Sequence, residues 1–102
     1  MPNNNDINIY QIKDILSRDK RYLESKYHVS ELGVFGSFIR NEQHKRSDID
    51  ILVSFSQSIS AFKFIDLKNE LSEKLGRKVD LVSKKALKPR IGKRILDEVE
   101  YI

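Results

Sequence analysis

The chain has 102 residues, 39% of them apolar and 33% charged, with 19 Lys and Arg against 15 Asp and Glu for a formal charge of +4. That length and balance suit one folded domain with a modest core and exclude a disordered polymer. No apolar run approaches the roughly 20 residues that span a bilayer, and the lack of cysteine excludes a disulfide framework or thiolate metal site.

Residues 1–6 are polar and lack the charged and apolar regions of a signal peptide, so residues 1–8 are expected to be a flexible lead-in. The rest reads as one domain within 1–102, cytoplasmic and without a membrane partner. Over residues 9–27, Ile12, Ile15, Leu16, Leu23 and Tyr27 recur at helical spacing, with Asp6 or Asn8 as the cap. Asp19-Lys20 interrupts the pattern, which predicts two short helices or one bent one. Residues 31–35 form a short apolar strand that ends at Gly36.

A helical turn or two is expected over residues 37–42. Its first N–H groups and positive dipole end would face the mouth of the strand, where Gly36 lets the main chain approach a ligand closely. A charged loop at 41–46 leads to a second strand at 48–55 and a polar connection at 56–60. The clearest helix is 61–75, with Phe64, Ile65, the stem of Lys68, Leu71 and Leu75 as its stripe and Gly76 as its stop. The third strand, 77–83, puts Val79 and Leu81 on one face and Asp80 and Val82 on the other. Pro89 opens a last helix over 90–99, with Ile91, Ile95 and either Val99 or Leu96 as its buried stripe. Alternating helices and strands without repeats indicate a small α/β layer structure.

Asp48 and Asp50 are two residues apart, so a strand places them side by side. Adjacent like charges repel and lose solvation, an arrangement that suits a hard divalent cation better than it suits stability. If strand three lies beside strand two, Asp80 joins them. Oxygen-only ligands select Mg²⁺, or Mn²⁺, over zinc, and such a site polarises a phosphoryl group and activates an attacking hydroxyl. Gly36 and Ser37 would hold phosphates through backbone N–H groups and the hydroxyl. Taken singly, Gly-Ser is a turn, Asp-x-Asp a strand edge or cap, and Asp80 a solvent-facing residue; the signal is in their order and spacing.

Other features read more plainly. His28 and His44 lack a second ligand at metal spacing and are read as structural. Phe38, Phe55, Phe62 and Phe64 are core or interface residues. Lys84, Lys85, Lys88, Arg90, Lys93 and Arg94 form either a solvated face or a surface for nucleic acid, an acidic partner or nucleotide phosphates.

The run Phe35-Gly36-Ser37-Phe38-Ile39-Arg40, then Ser47-Asp48-Ile49-Asp50, then Val79-Asp80-Leu81-Val82, resembles the nucleotidyltransferase superfamily that includes DNA polymerase β. The small size and the Phe-Gly-Ser-x-x-Arg form look like its minimal (MNT-domain) members, and the likeness runs from about residue 9 to the end. It implies an α/β fold, a mixed sheet of three or four strands against about four helices. It also implies ATP as donor with Mg²⁺, and transfer of a nucleoside monophosphate with release of pyrophosphate. Carried over, Gly36 and Ser37 hold the donor's phosphates. Asp48 and Asp50 bind metal, while Asp80 helps bind a second ion and draws the proton from the acceptor. Arg40 holds a phosphate or pairs with a carboxylate, and Ser47 caps or orients the loop within the nucleotide-binding set. Minimal members commonly act as antitoxins of HEPN-domain ribonuclease toxins, which implies adenylylation of a toxin tyrosine. One departure is Asn41, where many members carry Gly; Asn tolerates left-handed backbone angles better than most residues.

Three other readings compete. A small-molecule transferase of the aminoglycoside type would need an acceptor domain that 102 residues leave little room for. A non-catalytic antitoxin would silence its toxin by covering it. A nucleic-acid binder would use the basic tail and lose affinity steeply with salt.

Overall fold

The computed structural model describes residues 7–102. The 1–6 part of the lead-in, including Asp6 as a candidate cap, lies outside the described residues. Helix α1 (Ile9–Tyr27) is one continuous helix. Asn8 caps it through a capping box, its side chain accepting from the Gln11 N–H while Gln11 accepts from the Asn8 N–H. The Asp19-Lys20 pair does not divide it, because both side chains have tertiary partners. Lys74 Nζ meets Asp19 at 2.9 Å, and Lys20 Nζ donates to the Ile102 carbonyl at 2.9 Å. His28 ends the helix with φ 59°, and its carbonyl then accepts the Ser56 N–H.

The remaining elements are β1 (Val29–Phe35), α2 (Ser37–Arg40), β2 (Ile49–Phe55), α3 (Ala61–Leu75), β3 (Val79–Ser83), α4 (Pro89–Glu98) and β4 (Glu100–Tyr101). A 3₁₀ turn, Lys84–Ala86, links β3 to α4. The sheet order is β3-β2-β1-β4, with β1 antiparallel to both β2 and β4, and β2 parallel to β3. This is the expected mixed sheet, with β4 as its fourth strand. The parallel pair needs a crossover, which α3 provides.

The two sheet faces do different work. Leu32, Val34, Ile49, Ile51, Val53, Val79 and Leu81 join Ile12, Leu16, Leu23 and Tyr27 of α1 and Leu67, Leu71 and Leu75 of α3 in one core. Each buried Leu or Ile stabilises the fold by about 1.5–3 kcal/mol before the entropy cost of ordering it. By the two-residue alternation of a strand, Asp50 and Asp80 face the other way.

Two stripes differ from expectation. In α3, Ile65 is 48% exposed and Leu67 is buried instead. Leu67, Leu71 and Leu75 recur every four residues, whereas Ile65 lies about 200° around the helix from Leu67. In α4, Ile91 and Leu96 are 59% and 44% exposed, and Gly92 is the buried residue. A Cβ at Gly92 would lie 3.0 Å from Leu87 Cβ. No residue of α4 belongs to the core cluster; α1 and α3 already fill the apolar side of the sheet.

Candidate active site

The polar face of the sheet gathers the acidic residues. Asp50 and Asp80 are register partners on the parallel strands β2 and β3. Asp48 stands one residue ahead of β2, so the second strand starts at Ile49 rather than at 48. Its carboxylate points partly toward Lys78, at 3.9 Å.

The turn that presents Asp48 is clipped from behind. Ser47 Oγ accepts the His44 N–H at 2.9 Å, and Ser47 N–H donates back to the His44 carbonyl. Arg77 Nη1 donates to the carbonyls of His44 (3.1 Å) and Ser47 (2.6 Å), with its guanidinium over the Phe38 ring. Ser47 thus orients the loop, one of the two parts expected of it. Arg77 escaped notice in the sequence, where it read as the first residue of a strand.

Facing Asp50 is the β1–α2 turn. Gly36 has φ +81° and ψ −150°, a conformation that side chains rarely adopt. A Cβ there would also fall within the contact radius of Asp50 Oδ2, and 2.9 Å from Asp50 Cγ. The glycine therefore makes room for the carboxylate as well as for any ligand. Ser37 starts α2 half-buried, and Asn41 ends it at φ 57°, its N–H donating to the Ser37 carbonyl. The left-handed turn survives with Asn in the place of Gly.

Arg40 carries two carboxylates on different edges. Its Nε donates to Glu42 at 2.7 Å, and its Nη1 donates to both oxygens of Glu98 at 3.0 Å. Glu98, the last residue of α4, also accepts the Gly36 N–H. Glu98 could not be found by pattern, since it lies 58 residues from Arg40.

Electrostatics set Asp50 apart. Its carboxyl is pushed up to about 6, first by burial, then by Asp80 and Asp48; Arg40 opposes the rise and Glu98 adds to it. Such crowding fits a divalent cation, which would relieve the repulsion with oxygen ligands alone. Among the described residues no group of three or more acidic, His or Cys side chains is gathered closely enough to form a ready-made ion cage. The trio forms an open rim of carboxylates, with Asp48 turned partly toward Lys78.

Hollows elsewhere are less telling. A cavity of about 740 Å³ lies at the far end of β2 and α3, lined by residues such as Phe55, Phe64, Ile65, Ser83 and Lys85. None of the three aspartates lines it. Asp48 and Asp50 are at the opposite end of β2.

Comparison with known proteins bears on this site. Residues 11–102 match the polymerase beta nucleotidyltransferase family. The chain is 48% identical over 95 residues to a Methanocaldococcus jannaschii protein that carries the name protein adenylyltransferase, covering 92% of this chain and 97% of that one. It is 44% identical over 96 residues to the protein adenylyltransferase MntA of Thermococcus cleftensis, covering 94% and 97%. The fold superposes on a solved structure described as a minimal nucleotidyltransferase with TM-score 0.73 and 29% identity, over 93% of this chain and 96% of that one. It shares the fold of a toxin–antitoxin complex with AMP-PNP (TM-score 0.71, 22% identity, 83% and 69% covered). The same holds for a tri-AMPylated Shewanella oneidensis HEPN toxin in complex with an MNT antitoxin (TM-score 0.65, 18% identity, 88% and 70% covered).

Proposed function

The chain belongs to the polymerase beta nucleotidyltransferase family, and from that premise we propose that it moves AMP from ATP to a tyrosine hydroxyl of a cognate HEPN ribonuclease toxin, acting as its antitoxin. The observation that carries this reading is the pairing of Asp50 with Asp80 across β2 and β3, with Asp48 beside them and the Gly36 turn opposite. The adenylyltransferase relatives, each matched over nearly its whole length, support the choice of group transferred.

In this reading Gly36, Ser37 and Arg40 hold the donor's phosphates, and Ser47 keeps the loop in register behind them. Asp48, Asp50 and Asp80 would hold Mg²⁺ or Mn²⁺, which supplies positive charge to the polyphosphate and lowers the pKa of a nearby hydroxyl. Asp80 draws the proton from the acceptor. The acceptor oxygen bonds to the α-phosphorus as the bond to pyrophosphate breaks, so the toxin keeps AMP and pyrophosphate departs. A tyrosine hydroxyl is a weak nucleophile while protonated, and a rim of carboxylates is suited to removing that proton. AMP on the toxin would add a bulky anion beside its RNA site.

The test is intact-mass spectrometry of the HEPN protein after incubation with this chain, ATP and Mg²⁺. Wild type is expected to add one or more AMP units, and the double variant Asp48→Asn with Asp50→Asn none. A toxin silenced without any gain in mass would mean inhibition by coverage alone and would end the catalytic reading.

A further inference from the structure

Glu98 occupies the turn and the arginine that the proposed function gives to the donor's phosphates. Its carboxylate accepts the Gly36 N–H and spans Arg40 Nη1 with both oxygens at 3.0 Å, engaging two of the three residues that the proposed function assigns to the polyphosphate. We infer that Glu98 is a resident anion in the phosphate cradle, which the nucleotide displaces on entry and which thereby sets nucleotide affinity. This inference rests on the reading of Gly36 and Arg40 as phosphate ligands.

The chemistry of the two anions is alike. A carboxylate and a phosphate oxygen both accept from a backbone N–H and take a guanidinium edge through paired hydrogen bonds. The cradle therefore does not wait with desolvated, unpaired donors.

Arg40 keeps a second carboxylate partner when Glu98 leaves. Glu98 is the last residue of α4, its side chain 26% exposed, so a turn about its own bonds carries the carboxylate to water. Its main chain need not move. Val99 N–H donates to the Ile95 carbonyl, the Ile102 N–H to the Leu32 carbonyl, and Val99 packs so closely over Gly33 that a Cβ there would lie 2.6 Å from Val99 Cγ2. Arg40, meanwhile, retains the Nε bond to Glu42 at 2.7 Å. One glutamate anchors the arginine and the other occupies its working edge.

Isothermal titration of the full chain with Mg–ATP tests this, with Glu98→Gln and Glu42→Gln as a pair. Glu98→Gln removes the competing charge and is expected to bind Mg–ATP about three- to tenfold more tightly than wild type. Glu42→Gln unfastens the arginine and is expected to bind less tightly than wild type, so two glutamates on one side chain give opposite signs. A merely structural Glu98 would weaken binding on substitution. Unchanged or weaker binding by Glu98→Gln, with wild type binding normally, overturns the inference and leaves the proposed function standing. No binding by either protein overturns the phosphate reading of the cradle, and the inference with it.

Discussion

The carboxylate of Asp50 fills the space that a side chain at position 36 would need. Gly36 follows directly on β1 and Asp50 lies on β2, and the two strands pair so that Phe35 stands opposite Asp50. Gly36→Ala is therefore expected to fail twice, through the positive φ and through displacement of Asp50. The strain costs about 1–3 kcal/mol. A shift of the carboxylate by about 1 Å costs on the order of a hundredfold in AMP transfer. Thermal melts and transfer assays on the same sample separate the two losses; full activity in the alanine variant would show that Asp50 is not held by this contact.

Asp50 makes the ligand-free protein sensitive to pH. Its carboxyl is raised from 3.8 to about 6 in the fold, so the folded chain binds a proton more tightly than the unfolded one. The stabilisation is complete below about pH 4 and is lost as pH rises through about 6. Asp50→Asn should match wild type at pH 4 and exceed it at pH 8 by about 2 kcal/mol, a figure discounted for the partial exposure of the site. Adding Mg²⁺ at pH 8 should narrow that gap by stabilising wild type. Denaturant titrations at the two pH values, with and without Mg²⁺, check both statements.

Asn41 tests whether the turn after α2 needs a special residue. It sits at φ 57°, where alanine is disfavoured and glycine is at ease. Asn41→Ala should lower stability by about 1 kcal/mol, and Asn41→Gly should stay within about 0.5 kcal/mol of wild type. A stability series of the three proteins decides the matter. Equal losses for both variants would assign Asn41 a side-chain role instead.

Tyr27 tests the other side of the sheet. Its ring is 1% exposed in the core while its hydroxyl donates to Glu70 at 2.8 Å, tying α1 to α3. Burial, with the Glu70 bond, holds the phenol above its ordinary pKa. Tyr27→Phe should cost about 1 kcal/mol and leave AMP transfer unchanged. A matching loss of transfer would mean that the two faces are coupled more tightly than the contacts suggest.

Residue spacing foretold much of this. Ile12, Leu16, Leu71 and Leu75 declared their helices, and Val79 and Leu81 flanked Asp80 so that it had to face away from the core. The Asp48–Asp50 spacing pointed to a site before any strand order was known. What could not be read depended on contacts distant in sequence. Arg77 clamps a loop some 30 residues before it, and Glu98 reaches Arg40 across 58 residues. Local periodicity carries no term for such meetings. The stripe of α4 misled for a related reason: Ile91 and Leu96 have helical spacing, but spacing cannot tell whether a second layer exists to cover them.

Alternation along β2 and β3 also lets the chain be edited one trait at a time. Ile49, Ile51, Val79 and Leu81 hold the shape, while Asp50 and Asp80, interleaved with them, touch none of that packing. Variants at Asp50 and Asp80 should thus remain intact as folded bodies. Under the proposed antitoxin role, a cell that carries one alongside the toxin would then report on the grip alone, and its difference from wild type on the chemistry.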